Sequence, residues 1–303
     1  MSTELDPLER AALEAFRSGA PVAPWDGVDG GAWTGFGLRC LLEAARVLRA
    51  HAGSDARADL KDDGSPVTAL ERAIEVDVRA RLAAFAPAAA FVGEEHGGRL
   101  PERGLAVALD PVDGTWGLLS ETSTWACVLA VLEDGQPLAG FVANPVTGEL
   151  AHARRGGAAR LLRLSAFGEP ARSQTLPTRR GEGGELLVHL HPTRAAEELR
   201  TALHAAWRRG EVRVVRSPGG SPAWGLTEAA RGHHVYLNAW SREPAEPWDL
   251  AAGTLLVRCA GGDVVDAEGA PIDATRHAGP WIAGIGAERL ARAVALARGT
   301  WPG

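Results

Sequence analysis

Residues 105–116 read LAVALDPVDGTW. An apolar run from Gly104 to Leu109 stops at Asp110, a second carboxylate stands at Asp113 beyond Pro111, and Gly114-Thr115 follow. A short, unbroken apolar stretch bounded by turn residues has the pattern of a buried strand. Gly104 to Leu109 is therefore predicted to be such a strand, ending in two acids beside a backbone type that commonly receives anions.

On the N-terminal side, Leu5 to Arg17 and Trp33 to Ala52 carry apolar residues at helical spacing. Ser65-Pro66 breaks the pattern, and Thr68 to Phe85 reads as a third helix. Ala90 to Gly93 is a short strand leading into Glu94-Glu95. On the C-terminal side comes a hairpin series: Trp125 to Leu132, a turn at Glu133-Asp134-Gly135, Leu138 to Ala143, a turn through Asn144-Pro145 and Gly148, then Glu149 to Arg154. Ser165 to Gly184, rich in Pro, Gly, Arg and Ser, lacks periodicity and reads as a junction. Beyond it strands (Glu185 to Leu190, Glu211 to Arg216, His233 to Trp240, Asp263 to Asp266, Trp281 to Ile285) alternate with helices (Pro192 to Arg209, Ser221 to Arg231, Pro247 to Ala260, Ala287 to Arg298). The expected organisation is an α+β part over residues 1–164, a junction at 165–184 and an α/β part over 185–303.

The chain has 303 residues, 46 % of them hydrophobic, with net charge −6 and pI near 5.9. That size supports one large domain or two joined ones. The acidic balance argues against nucleic acid as a partner. Three cysteines, Cys40, Cys127 and Cys259, lie far apart without metal-ligand spacing and read as reduced packing residues of a cytoplasmic protein. The polar N-terminal stretch MSTELDPLER is no signal peptide, and no apolar run reaches the roughly 20 residues of a membrane helix. Lysine occurs once, at Lys61, in a chain rich in arginine.

Carboxylates gather at the ends of apolar segments: Glu94 and Glu95, Asp110 and Asp113, and Asp249 after Pro247-Trp248. Each has a plain explanation, since Asp249 suits a helix N-cap, the Asp110–Asp113 pair a turn, and Glu94-Glu95 a solvated loop. Clustered acids repel and cost stability on burial. A hard divalent cation removes both penalties, and Mg²⁺ also keeps room for waters and substrate phosphate.

Gly93–Glu95 (GEE), Asp110–Thr115 (DPVDGT) and Pro247–Gly253 (PWDLAAG) resemble, in order and spacing, the signature motifs of the inositol monophosphatase-like family. Leu60–Thr68 (LKDDGSPVT) resembles the stretch before that family's first motif helix, and the likeness spans roughly residues 35 to 298. The resemblance implies a layered αβαβα sandwich of the inositol monophosphatase/fructose-1,6-bisphosphatase type, α/β in class. It also implies a Mg²⁺-dependent, Li⁺-sensitive phosphomonoesterase, often dimeric, with two or three ions per site.

By match, Glu94, Asp110 and the Val112 carbonyl would hold one metal; Asp110, Asp113 and Asp249 a second; a weaker third would share Glu94. The Thr115 hydroxyl would help activate the attacking water, and the N–H groups of Gly114 and Thr115 would cradle the phosphate. Metals that acidify water and clamp an in-line displacement leave the protein chiefly positioning and charge neutralisation to perform.

The chain departs from the family pattern at several points. Glu71 stands where an Asp usually polarises the threonine and the water; Thr68-x-x-Glu71 is equally a capping box. Cys259-Ala260-Gly261-Gly262 lacks the usual acid of E-A-G-G. Asn238 occupies the place of an acid that binds a ring hydroxyl, and an insertion, Ala239 to Glu246, carries Trp240, Arg242 and Glu243. His233 and His234 read as strand and turn residues. Trp116, after the phosphate cradle, is a candidate pocket wall, although it and Trp125 also suit a core. Lys61 is a further substrate-site candidate.

The leading reading is a phosphatase of a small polyol, cyclitol or sugar phosphate. The same chemistry on histidinol phosphate, or on a nucleotide phosphate such as 3′-phosphoadenosine 5′-phosphate, is the alternative. A third reading is a catalytically weak family member that binds metal or phosphate as a regulator. A small phosphorylated metabolite is the expected partner, without nucleic acid or membrane.

Overall fold

The computed structural model describes residues 4–21, 23–25, 30–51, 58–60, 66–164, 171–178, 186–191, 196–216, 220–239 and 244–300. Helices α1 (Pro7–Ser18) and α2 (Gly30–His51) come first, then an antiparallel pair, β1 (Ala58–Leu60) and β2 (Pro66–Thr68), then α3 (Ala69–Phe85). Next follow β3 (Ala90–Gly93), β4 (Leu105–Asp113), the short helix α4 (Thr115–Leu119), β5 (Ala126–Glu133), β6 (Gln136–Asn144), β7 (Glu149–Arg154), β8 (Arg160–Leu164) and β9 (Ala171–Thr175). The rest comprises β10 (Leu187–Leu190), α5 (Glu197–Arg208), β11 (Val214–Arg216), α6 (Pro222–Ala230), β12 (Val235–Asn238), α7 (Pro247–Cys259), β13 (Gly262–Asp266), β14 (Trp281–Ile285) and α8 (Ala287–Ala297).

Strands β3 to β9 form one seven-stranded sheet in sequence order, parallel at β3–β4 and antiparallel elsewhere. A five-stranded sheet has the order β11-β10-β12-β14-β13, with β10 parallel to both its neighbours. Side chains alternate across a strand, and β4 and β5 use both faces. Val107, Leu109, Leu129 and Val131 enter a core with Trp33, Phe36, Leu41 and Phe85 of α2 and α3. Ala106, Ala108, Val128 and Ala130 enter a second core with α6, α7, Tyr236 and Trp281. A third core lies between the far face of the smaller sheet and α5 and α8, through Val188, Leu237, Ile282, Leu199, Leu203, Leu290 and Val294. Three cores between helices and sheets make the expected five αβαβα layers.

The central helix α7 lies unusually close to the larger sheet. A Cβ at Gly140 of β6 would stand 2.8 Å from the Cα and O of Ala252 in α7, so only glycine permits this approach. The small alanines of β4 and β5 face the same side.

Several expectations shift. The strand beginning near Gly104 runs on to Asp113 rather than stopping at Leu109. Arg160–Leu164 and Ala171–Thr175 carry ladder bonds that no periodicity announced, and the second lies inside the stretch read as a junction. It qualifies as an edge strand because backbone pairing with β8, not an apolar face, holds it. Helix α5 is described from Glu197, and the predicted start at Pro192 lies outside the described residues. Cys40 and Cys127 are buried and free, with burial pushing both thiols up, as packing residues should be. No described helix is long and apolar enough to cross a membrane.

Candidate active site

Asp110 and Asp113 are three apart, and in a regular strand they would face opposite sides. The β4–β5 register shows how this is avoided: Asp110 pairs with Val128 and Asp113 with Ala126, so β4 holds one extra residue. The β-bulge re-aims the strand end, and Pro111, which has no N–H to lose, lies within it. Both aspartates then line one cleft of about 240 Å³, together with Glu94, Val112, Gly114, Thr115, Trp116, Asn238 and Asp249. The turn reading of Asp110 and Asp113 is thus replaced by a bulged strand.

One oxygen of each aspartate is pinned by backbone. Val112 N–H donates to Asp110 Oδ1, Ala223 N–H to Asp113 Oδ2, and Glu246 N–H to Asp249 Oδ2, each at 2.8 Å. Asp249 is therefore not the N-cap of α7; Glu246 is, and Asp249 sits three residues on, its second oxygen left to the cleft. Ser221, the N-cap of α6, also donates its hydroxyl to Asp113 Oδ2. Gly114, at φ +87°, passes so close that a Cβ would lie 2.7 Å from Ser221 N. The bend after β4 and the start of α6 are thus locked together.

Glu71 does two jobs at once. Its Oε2 accepts the Thr68 N–H that caps α3, while its Oε1 accepts the Thr115 hydroxyl at 3.1 Å. The same hydroxyl lies 3.1 Å from the Val112 carbonyl. The capping and site readings of Glu71 are therefore compatible, because a carboxylate has two oxygens. One turn on, buried Glu75 accepts Glu95 N–H at 2.9 Å and His96 N–H at 3.0 Å, bracing the loop that carries Glu94. Gly93 makes room for it, since a Cβ there would meet Glu75 Cδ at 2.4 Å.

The electrostatics are those of crowded acids. Burial, then Glu94, Asp113 and Asp249, hold the Asp110 carboxyl well above its ordinary range. Burial is also the leading cause for Asp249, pushed up to about 8, and for Glu71, pushed up to about 6. Burial likewise raises Asp113, against the hydrogen bonds from Ser221 and Ala223. Glu94 lies close enough to Asp110 to add to this crowding. A divalent cation neutralises such a cluster, so these residues fit the hard-metal group their spacing suggested.

Lys61, Trp240, Arg242 and Glu243 lie outside the described residues. Trp125 is core at 1 % exposure, whereas Trp116 is 65 % exposed and stands at the cleft. His191, His277 and Trp281 also line the cleft; no motif flagged them. Ser221 carried a signal, a serine before proline at a helix start. Asp6, Glu9 and His152 form another group of potential ligands. Glu9 there already accepts from His152, Arg160 and Ser173, so a guanidinium supplies its countercharge and no cation is needed.

The model of the inositol monophosphatase family matches residues 34–297. A histidinol-phosphatase of Mycobacterium tuberculosis is 32 % identical over 228 residues, 71 % of this chain and 79 % of that protein. An inositol-1-monophosphatase of Rhizobium meliloti is 33 % identical over 246 residues, 77 % of this chain and 84 % of that one. The solved structure of the extragenic suppressor protein suhB from Bartonella henselae superposes with a TM-score of 0.70 at 25 % identity, covering 88 % of this chain and 99 % of that one.

Proposed function

The chain belongs to the inositol monophosphatase family of phosphomonoesterases, and from that premise we propose that it is a Mg²⁺-dependent phosphatase of a small polyol, cyclitol or sugar phosphate. The observation that carries this reading is the set of four carboxylates, Glu94, Asp110, Asp113 and Asp249, gathered in one cleft with the Gly114-Thr115 turn. Glu94, Asp110, Asp113, Asp249 and the Val112 carbonyl would hold two or three Mg²⁺ ions. When bound, Mg²⁺ supplies acidified water and charge neutralisation at the phosphate.

The chain's own residues do the rest. The N–H groups of Gly114, the N-cap of α4, and of Thr115, its first residue, would cradle the phosphate. The Thr115 oxygen accepts a hydrogen bond from the attacking water while its own proton is held toward Glu71 Oε1 at 3.1 Å. An ionised Glu71 thereby orients the water and favours proton loss from it. Asn238, at the end of β12, and Trp116, at the mouth, would contact the alcohol portion of the substrate. Lys61 remains a candidate substrate ligand from the sequence.

Histidinol phosphate is the second reading, favoured by the relative of that activity at 32 % identity. A phosphate-release panel of cyclitol, sugar, nucleotide and histidinol phosphates, run with Mg²⁺, with EDTA and with added Li⁺, tests both. Mg²⁺-dependent release inhibited by Li⁺ is expected; undiminished turnover in EDTA refutes the proposal.

A further inference from the structure

Three adjacent strands of the smaller sheet, β10, β12 and β14, deliver side chains to the cleft that the aspartates line. His191 directly follows β10, its N–H bonded to the Leu237 carbonyl of β12 at 2.8 Å. Asn238 ends β12, and Trp281 is its register partner on β14. All three line the cleft, and strand ends in α/β sheets are habitual ligand positions. Behind them stands Tyr236, 2 % exposed, its ring centroid 5.4 Å from that of Trp281. The Tyr236 hydroxyl lies 2.9 Å from His191 Nδ1. Room for the phenol comes from Gly225, where a Cβ would lie 2.3 Å from the ring.

A phenol is one donor and one acceptor, and a neutral imidazole is one of each. No other hydrogen bond of the Tyr236 hydroxyl occurs among the described residues. A buried O–H without an acceptor is costly, so this proton goes to His191 Nδ1. The imidazole proton must then reside on Nε2, the nitrogen without a partner among the described residues. Burial pushes His191 down to about 4 and raises Tyr236, so near neutral pH the imidazole is uncharged and the phenol keeps its proton.

Resting on the phosphatase reading, we infer that His191 is a specificity residue, presenting Nε2–H to a hydrogen-bond acceptor on the alcohol portion of the substrate, and that Tyr236 is the positioning residue that fixes this tautomer. The substrate class implied is a phosphomonoester whose alcohol carries a neutral acceptor, such as a hydroxyl, near the ester. An ammonium group, a donor only, gains nothing from this nitrogen.

The test compares a cyclitol phosphate, which carries neighbouring hydroxyls, with phenyl phosphate, which has no acceptor on its alcohol. Wild type, His191→Phe, His191→Gln, Tyr236→Phe and the Tyr236→Phe/His191→Phe double variant are assayed with Mg²⁺. His191→Phe is expected to lower kcat/KM on the cyclitol phosphate about 10- to 100-fold, mainly through KM, while changing phenyl phosphate by less than about 3-fold. His191→Gln, whose amide can still donate, recovers part of the loss. Tyr236→Phe gives a smaller loss on the same substrate and adds nothing in the His191→Phe background. Equal losses on both substrates, or additive losses for the two residues, overturn the inference and leave the phosphatase reading standing. Wild-type protein inactive on every phosphate overturns the phosphatase reading, and this inference with it.

Discussion

Replacing Glu71 by Gln separates its structural from its catalytic task. In the wild type, two oxygens face two donors, the Thr68 N–H and the Thr115 hydroxyl. Glutamine keeps one acceptor oxygen and replaces the other with an NH₂ that carries two N–H donors. With its oxygen on the Thr68 N–H, the α3 cap survives. The amide then meets Thr115 Oγ1, whose proton can turn to the Val112 carbonyl 3.1 Å away. The Thr68 N–H and the Thr115 hydroxyl both keep partners, yet the base behind Thr115 is gone.

The stability cost can be bounded. Burial raises Glu71 from 4.5 to about 6. The folded state thus binds its proton more tightly than the unfolded one, and at pH above 6 ionisation costs roughly 2 kcal/mol of stability, at 1.36 kcal/mol per pKa unit. That penalty vanishes below pH 4.5, where the group is protonated in both states. Glutamine escapes it, and because that penalty is already net of the hydrogen bonds from Thr68 and Thr115, metal-free Glu71→Gln should match wild type below pH 4.5 and exceed it by up to roughly 2 kcal/mol at pH 8. Relative to wild type, the variant should gain stability as pH rises from 4.5 to 6. Activity should fall on the order of 10²-fold or more, the usual worth of a positioned base. Denaturant melts from pH 4 to 8, paired with phosphate-release rates, measure both. A fully active Glu71→Gln protein would refute the base role, and a stability difference flat across pH would refute the burial account.

Asp110→Asn should abolish phosphate release yet raise the Tm of metal-free protein, because it removes one charge from a crowded cluster; thermal melts with and without Mg²⁺ show both effects. Gly140→Ala forces a Cβ to 2.8 Å from the α7 backbone; a cost of about 1–3 kcal/mol is expected, with lost activity because α7 carries Asp249. Glu9 is buried, which alone would raise it, but hydrogen bonds from His152, Arg160 and Ser173 outweigh burial and hold it down at about 2. Its stabilisation, roughly 3 kcal/mol at full ionisation, is present above pH 4.5 and lost as pH falls toward 2. Glu9→Gln should flatten acid denaturation in that window, as followed by circular dichroism.

Legibility divided along physical lines. GEE, DPVDGT and PWDLAAG were readable because each places its chemistry within a few residues of a strand or helix end, where local geometry decides the exposure of a side chain. Helices α1 to α3 and the hairpins β5 to β7 were readable from apolar spacing and turn residues. By contrast, β8 and β9 owe their existence to ladder bonds with a neighbour, and the composition of residues 165–184 hides that.

The sequence by itself determined the layered α/β class, the family and the identity of the cleft carboxylates. Only the tertiary structure decided how Asp110 and Asp113 come to share a side, because the extra residue in β4 exists only relative to β5. It likewise decided that Glu71 serves both Thr68 and Thr115, that Glu75 braces the Glu94 loop, and that His191, Asn238 and Trp281 meet. Those residues lie far apart in the chain and become neighbours only when strands pair, so the register carries the information that spacing cannot.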